Sequence, residues 1–265
     1  MTTAPMRAGP KIRFLGTGWS HGVPMIACDC EVCTQRHPKN IRRRPSLLLQ
    51  DDHHTLVIDT GPDFRDQVLT FGIQDLDAVF ITHEHADHVM GFDDVRRFTW
   101  GREMPMPVYA DPHTLARLKI VYPYVSTVRI PGKAVPKVSF QPWDGPVTLG
   151  AFRLTAFPVP HSDLPCHGVL IETPDKRIGY VPDCSDLPAD AFEILRDLDI
   201  MILNALRHKP HPAHLTLESS LELLHRIGAP ASYLTHMGCD FDYPALNPTL
   251  PAGISMAYDG LELGA

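Results

Sequence analysis

No run of about 18 consecutive apolar residues occurs in the chain, which argues against a membrane-spanning helix. The first residues, Met1-Thr2-Thr3-Ala4-Pro5-Met6-Arg7, lack the apolar core of a secretory signal, so the expected location is the cytoplasm. An excess of positive charge is also missing: 24 Lys and Arg stand against 31 Asp and Glu, for a formal net charge of −7. A protein that coats long nucleic acid needs many cationic phosphate contacts, so neither long nucleic acid nor a membrane is an expected partner. A small anionic substrate stays compatible with this charge, because bound divalent ions would dominate the local field. No internal repeat, low-complexity stretch or long linker divides the 265 residues, which suffice for one α/β domain or two small ones.

Cysteine is sparse and unevenly placed. Six cysteines in a cytosolic chain seldom make a disulfide framework. Cys28, Cys30 and Cys33 lie so close together that bridging any two would strain the backbone, so thiolate ligation of a metal is the better reading. Cys166 and Cys184 read as small buried hydrophobes.

What the chain has in quantity is short apolar runs and histidine. Ile12–Leu15, Leu47–Leu49, Leu56–Ile58, Ala78–Ile81, Val169–Ile171, Ile178–Val181, Met201–Leu203 and Tyr233–Leu234 each read as a short buried strand. Helical spacing predicts helices over Phe64–Phe71, Leu115–Tyr122, Ala189–Leu198 and Leu217–Ile227, the last opened by Thr216 and closed by Gly228. A hairpin is expected between Val169–Glu172 and Arg177–Tyr180. Strands with interspersed helices fit a doubly wound fold or a four-layer sandwich with two central sheets, and pattern alone does not choose.

The 15 histidines cluster with acidic residues just after strand-like runs, where loops hold functional groups on a rigid scaffold. After Ala78–Ile81 and Thr82 comes His83-Glu84-His85-Ala86-Asp87-His88. Imidazole and carboxylate are good ligands for zinc and similar divalent ions. A strand end and a tight turn would direct His83 and His85 to one ion, and Asp87 and His88, opening the next element, to a second. Glu84 and Ala86 read as spacers. Further along, His161, Asp183, His214 and His236 also follow strand-like stretches, and their weight comes from occurring together.

This order of residues resembles the metallo-β-lactamase superfamily from about Ile12 to Leu263, through the HxHxDH motif, a distant His, a later Asp and a final His. The resemblance implies an αββα four-layer sandwich, taken as a single hydrolase domain over 1–265. It also implies a two-metal site of zinc or manganese. His83, His85 and His161 would hold one ion, Asp87, His88 and His236 the other, with Asp183 bridging. Leu56-Val57-Ile58-Asp59-Thr60-Gly61 is similar to the family's strand ending in Asp-Thr-Gly, where Asp59 would steady the ligands from behind.

Within the superfamily the nearest resemblance is to the PhnP-like cyclic phosphodiesterases. It rests on Leu15-Gly16-Thr17-Gly18, Gly22-Val23-Pro24, the Cys28-Asp29-Cys30-Glu31-Val32-Cys33 cluster and the closing Asp259-Gly260-Leu261-Glu262. That pattern pairs its three cysteines with a histidine at a position that is Cys239 here. The resemblance therefore implies a structural zinc on Cys28, Cys30, Cys33 and Cys239, still a closed tetrahedral set. It places His214 as the general acid, with His211 and, more weakly, His208 as alternatives. Asp183 would serve catalysis through its bridging place.

The expected substrate is a small, cyclic phosphodiester, and a homodimer is left open. Other hydrolytic chemistries of the superfamily compete with this reading: tRNA 3′-processing, lactone and thioester hydrolysis. A non-catalytic metal-binding accessory protein is a further alternative. The basic stretch of Arg36, Lys39, Arg42, Arg43 and Arg44 reads as a solvated face or as an attractor for anionic substrate. The charges of Phe92–Phe98, where a helix is expected to start, would support the site from outside.

Overall fold

The computed structural model describes residues 9–125 and 135–265. The stretch Met1–Arg7, read above for a secretory signal, lies outside them. Among the described residues, no helix is long and apolar enough to cross a membrane.

Among the described residues, fourteen strands form two seven-stranded sheets. The first sheet contains β1 (Lys11–Gly16), β2 (Ser46–Gln50), β3 (Thr55–Ile58), β4 (Ala78–Phe80), β5 (Met106–Ala110) and β6 (Val138–Pro142) in chain order. The second is built from β7 (Val147–Leu149), β8 (Phe152–Val159), β9 (Cys166–Glu172), β10 (Arg177–Val181), β11 (Ile200–Asn204), β12 (Ala231–Thr235) and β13 (Ile254–Met256). The last strand, β14 (Glu262–Gly264), returns to the first sheet and pairs antiparallel with β1. Each sheet is half antiparallel and half parallel: β1–β2–β3 and β7–β8–β9–β10 meander, whereas β3 to β6 and β10 to β13 run parallel.

Side chains alternate across each strand, and here both faces are covered, so the strands read as unbroken apolar runs. Leu47, Leu49, Leu56, Ile58 and Phe80 meet Val169, Ile171, Ile178, Tyr180 and Ile202 between the sheets. Leu48, Val57, Val79 and Ile81 turn outward under Phe64, Leu115 and Leu118 of the helices α2 (Phe64–Phe71) and α4 (Pro112–Val121). On the other side Leu170, Val181, Met201 and Leu203 lie under α5 (Ala189–Ile194) and α6 (Leu217–Ile227). The result is the αββα sandwich, and the doubly wound alternative is set aside because there are two sheets.

The remaining helices are short: α1 (Glu31–Gln35), α3 (Ala86–Val89) and α7 (Tyr243–Leu246). Three sequence expectations move at their edges. The helix expected from Leu115 begins at Pro112, where Asp111 accepts from the His113 and Thr114 amides. The helix expected to Leu198 ends at Ile194, before Asp197 takes a φ of 53°. Phe92–Thr99 is a 3₁₀ helix, and its Asp93 pairs with Arg96 and with the Tyr124 hydroxyl, not with the histidine motif. The expected hairpin forms in the register Arg177↔Glu172 to Tyr180↔Val169.

Candidate metal centre

Four of the proposed pocket ligands sit just past the C-terminal end of a strand. His83 follows β4, His161 follows β8, Asp183 follows β10 and His236 follows β12. Asp87 and His88 are in the single turn of α3, which opens after His85. The strands are fixed by packing on both faces, so the side chains at their ends inherit that rigidity.

The structure brings these residues together. Candidate ligand atoms lie within 4.8 Å of one another in each of four sets: His83, His85 and His161; Asp87, His88 and His236; His83, His88 and Asp183; and His161, Asp183 and His214. Asp183 thus stands between the two halves. His83, His88, His161, Asp183 and His236 are all buried, and His85 is half-buried.

Several of these buried atoms lack hydrogen bonds: Nε2 of His83, Nε2 of His88 and both carboxylate oxygens of Asp183. Yet His88 Nε2 and Asp183 Oδ2 approach to 2.7 Å. Leaving one such buried atom unpaired costs about 1–3 kcal/mol. Lone pairs that converge without a shared hydrogen bond are what a cation satisfies, so the donor set fits divalent metal.

The electrostatics agree with that fit. Burial, reinforced by the nearby His88, holds His83 well below the ordinary imidazole value. Burial likewise lowers His161 to about 4, so both rings are neutral and keep a lone pair for an ion. At Asp183 burial opposes ionisation, but His236 and His88 outweigh it and hold the carboxyl well below its usual range. Asp87 is likewise held down against burial by His88 and His236. His88 is pushed well above its usual value, because Asp59, Asp87 and Asp183 together overcome its burial. The pocket is set to hold positive charge.

Behind the ligands stands Asp59, at a φ of 66° directly after β3. Its Oδ1 accepts from the Thr82 amide at 2.8 Å, and its Oδ2 from the Thr82 hydroxyl at 2.9 Å and from His88 Nδ1 at 2.8 Å. Burial raises Asp59, and these donors work against that rise. His161 Nδ1 donates to the Ala213 carbonyl at 2.8 Å, turning Nε2 to the cluster. Gly61 explains the end of the Asp-Thr-Gly motif, since a Cβ there would lie 1.9 Å from the Asp87 carbonyl oxygen.

His214 reaches the same pocket from the connection between β11 and α6. Its Nδ1 lies 3.0 Å from Asp183 Oδ1, and its ring stacks on His236 at 4.9 Å between centroids. His211 lies against His214 at 4.9 Å and accepts from the Ala213 amide. His208 is exposed and packs on Phe241. The structure therefore puts His214 nearest the ligands.

Four sulfur atoms, on Cys28, Cys30, Cys33 and Cys239, lie within 4.8 Å of one another, and none is in a disulfide. Burial pushes the Cys33 thiol up to about 11, and its neighbours Cys28 and Cys30 add to the rise. Such a cluster of thiols ionises together only around a cation, so it too fits a metal. Cys166 and Cys184 are buried, as expected, donating to the Asp183 carbonyl and to Asn204 Oδ1.

Two readings of the sequence are corrected here. Glu84 is more than a spacer: it pairs with His113 of α4 at 3.1 Å, tying the histidine motif to the next helix. The basic stretch is not one solvated face. Arg42 is 1% exposed, Arg43 binds Asp66 and Asp259, and Arg44 binds Asp63. Nothing in the sequence separates Arg42 from its arginine neighbours.

Comparison with known proteins agrees with this architecture. The family described as Beta-lactamase superfamily domain matches residues 54–237. A diphosphatase of the PhnP family superposes with a TM-score of 0.88 at 38% identity, over 96% of this chain and 97% of that one. Zn²⁺-bound PqqB from Methylobacterium extorquens shares the fold, with a TM-score of 0.77 at 19% identity over 96% of this chain and all of its own. An octanoyltransferase of Porphyromonas gingivalis is 35% identical over 256 residues, 94% of this chain and 50% of that protein. A ribonuclease Z of Bradyrhizobium diazoefficiens is 30% identical over 146 residues, 53% of this chain and 48% of its own. The chain thus spans about half the length of these two curated relatives. A family match across most of the sequence, and a near-complete superposition at this identity, mean that the chain belongs to the metallo-β-lactamase superfamily and, within it, to the PhnP family.

Proposed function

We propose that the chain, as one domain over 1–265, hydrolyses small phosphodiesters, cyclic ones among them, with two divalent ions in the histidine–aspartate pocket and a zinc on the four cysteines. The ions, zinc or manganese, would supply an acidified water as nucleophile and a positive field for the phosphoryl oxygens. Held by His83, His85 and His161 on one side and by Asp87, His88 and His236 on the other, they would share Asp183. Neither long nucleic acid nor a membrane enters this reading.

The observation that carries it is the place of His214. It is a histidine beyond the seven ligands, 3.0 Å from Asp183 and 13% exposed, so it borders both the ligands and solvent. Departure of an alkoxide from phosphorus needs a proton, and a histidine within reach of the leaving group is the side chain that most often delivers one. With Nδ1 turned to Asp183, Nε2 is the ring nitrogen left to deliver that proton. Asp183 orients the acid as well as the ions.

A second reading takes a diphosphate bond as the target, on the ground of the PhnP-family diphosphatase at 38% identity. Its leaving group is a phosphate, which departs with less help from an acid. Purified metal-loaded protein should turn over bis(p-nitrophenyl) phosphate. A panel of 2′,3′- and 3′,5′-cyclic nucleotides, 1,2-cyclic ribose phosphates and a dinucleoside diphosphate would then choose between the readings by relative kcat/KM. Absence of turnover on every member of the panel would leave a metal-binding accessory protein as the better account.

A further inference from the structure

Arg42 is one of the largest fully buried side chains, yet among the described residues none of its hydrogen bonds goes to a carboxylate. Nη1 donates to the Gly238 carbonyl at 3.0 Å, and Nη2 donates to the Phe241 carbonyl at 2.7 Å and to Asn40 Oδ1 at 3.0 Å. The guanidinium therefore grips the loop after β12 on both sides of Cys239 and two residues beyond His236. Its backbone exchanges both hydrogen bonds with Val23, in the segment leading to Cys28, Cys30 and Cys33. Met237 is held from the other side, its amide donating to Thr17 O at 2.9 Å and its carbonyl accepting from Trp19 N at 3.2 Å. Between these clamps His236 takes a φ of 54°, a conformation that persists only where the surroundings impose it.

A buried cation needs counter-charge, or its desolvation is left unpaid. Burial lowers Arg42 to about 10, and Asp259, Asp242, Cys239 and Cys33 push it back up. Four thiolates around one divalent ion would carry two net negative charges beside this guanidinium.

We propose that Arg42 is a positioning residue that couples the four-cysteine site to His236, so that filling the cysteines tightens ion binding at Asp87, His88 and His236. The coupling rests on the ligand assignment of the proposed function. It runs through the loop from His236 to Phe241, which carries one ligand of each site. The His83, His85 and His161 half hangs on other strands and lies outside it.

Cobalt(II) tests this in the full chain, because thiolate ligation gives a charge-transfer band that nitrogen and oxygen ligands do not, so the cysteine site is read apart from the pocket; His161→Ala leaves the His236 half to be titrated by itself, and His236→Ala leaves the other. Emptying the cysteines of the wild-type chain with an organomercurial should weaken cobalt binding at the His236 half by about 10–100-fold. The other half should keep its affinity. Arg42→Lys keeps the charge but cannot reach both carbonyls at once, and should lose most of that coupling while the thiolate band persists. Arg42→Met should lose it entirely, and where it fails to fold, Arg42→Lys decides. Equal affinity with the cysteines filled or emptied would overturn the proposal, as would equal weakening of both halves or full coupling in Arg42→Lys. In parallel, His236→Ala should lose one active-site ion. If it keeps all of them, the ligand assignment falls and the coupling with it; if it loses one while the Arg42 variants behave as wild type, the coupling alone falls.

Discussion

Oδ2 of Asp59 lies 2.8 Å from Nδ1 of His88, and both side chains are fully shielded from solvent. The contact fixes which imidazole nitrogen faces the cluster, since a ring that donates through Nδ1 must present Nε2. Asp59→Asn tests it cleanly, because asparagine tolerates the left-handed backbone that Asp59 adopts. The expected outcome is an ion affinity about 10–100-fold lower at the half that contains His88, with little change in fold. Metal analysis after dialysis against a graded series of chelator concentrations would measure it. An unchanged profile would remove Asp59 from the site.

The ligand cluster is the part of this protein most legible in sequence, and the reason is geometric. Ligands placed at strand ends must follow short apolar runs, and strands buried on both faces announce themselves as such runs. Strands β5 to β8 announce themselves less well: Phe152–Val159 alternates buried with exposed and half-buried positions, and Val147–Leu149 has no fully buried residue. The meander-then-parallel topology of each sheet left no trace as a sequence repeat. Arg42 was invisible for another reason. Its burial depends on carbonyls contributed nearly two hundred residues away, and no local spacing reports that.

Gly61 offers a backbone test of the same region. The Cβ of an alanine there would sit 1.9 Å from the Asp87 carbonyl oxygen, and main chain cannot swing aside as a side-chain tip does. Gly61→Ala should cost at least about 1–3 kcal/mol, by the overpacking rule. For a chain of this length each kcal/mol lowers Tm by about 2–4 °C. The displaced α3 turn carries Asp87 and His88, so metal content should fall together with Tm. Calorimetry alongside metal analysis would show whether the two move as one.

Asp183→Ala addresses the residue between the two halves. Its carboxylate faces His88 at 2.7 Å, His214 at 3.0 Å and His236 at 3.1 Å, so its loss leaves three imidazoles without their common negative partner. Occupancy of both active-site ions should drop while the four-cysteine site keeps its own. Unchanged metal content with unchanged activity would sink the bridging role.

Cys30→Ser tests the other metal site by itself. Cys30 caps α1 and its carbonyl accepts from the amides of Cys33 and Thr34, so serine preserves the local turn while removing a thiolate. About one zinc per chain should be lost and Tm should fall, since structural zinc contributes directly to folding. Zinc analysis and a thermal melt would show both, and hydrolysis should persist in the folded fraction once divalent ion is supplied in excess, which offsets any weakening at the His236 half. Recovery of a disulfide among Cys28, Cys30, Cys33 and Cys239 from freshly isolated protein would contradict the zinc assignment.

The most discriminating variant is His214→Ala, because it separates an acid from a ligand. General acid catalysis contributes about 10²–10⁴-fold, roughly 3–5 kcal/mol of barrier at 1.36 kcal/mol per tenfold. With an alkyl diester or a cyclic nucleotide the variant should lose rate on that scale and still hold both ions. With a p-nitrophenyl ester the loss should shrink, since p-nitrophenolate departs without a proton. A diphosphate substrate should behave in the same sparing way, its leaving phosphate being a weaker base than an alkoxide. A residue that merely binds substrate or metal would lower the rates on all of these alike. Stacking of His214 on His236 makes metal loss the outcome to watch for, and measured ion content tells it apart from loss of the acid. Equal losses across leaving groups with both ions retained would give His214 a binding role and leave the proton to another donor, for which His211, 4.9 Å away between ring centroids, is the nearest imidazole outside the ligand set.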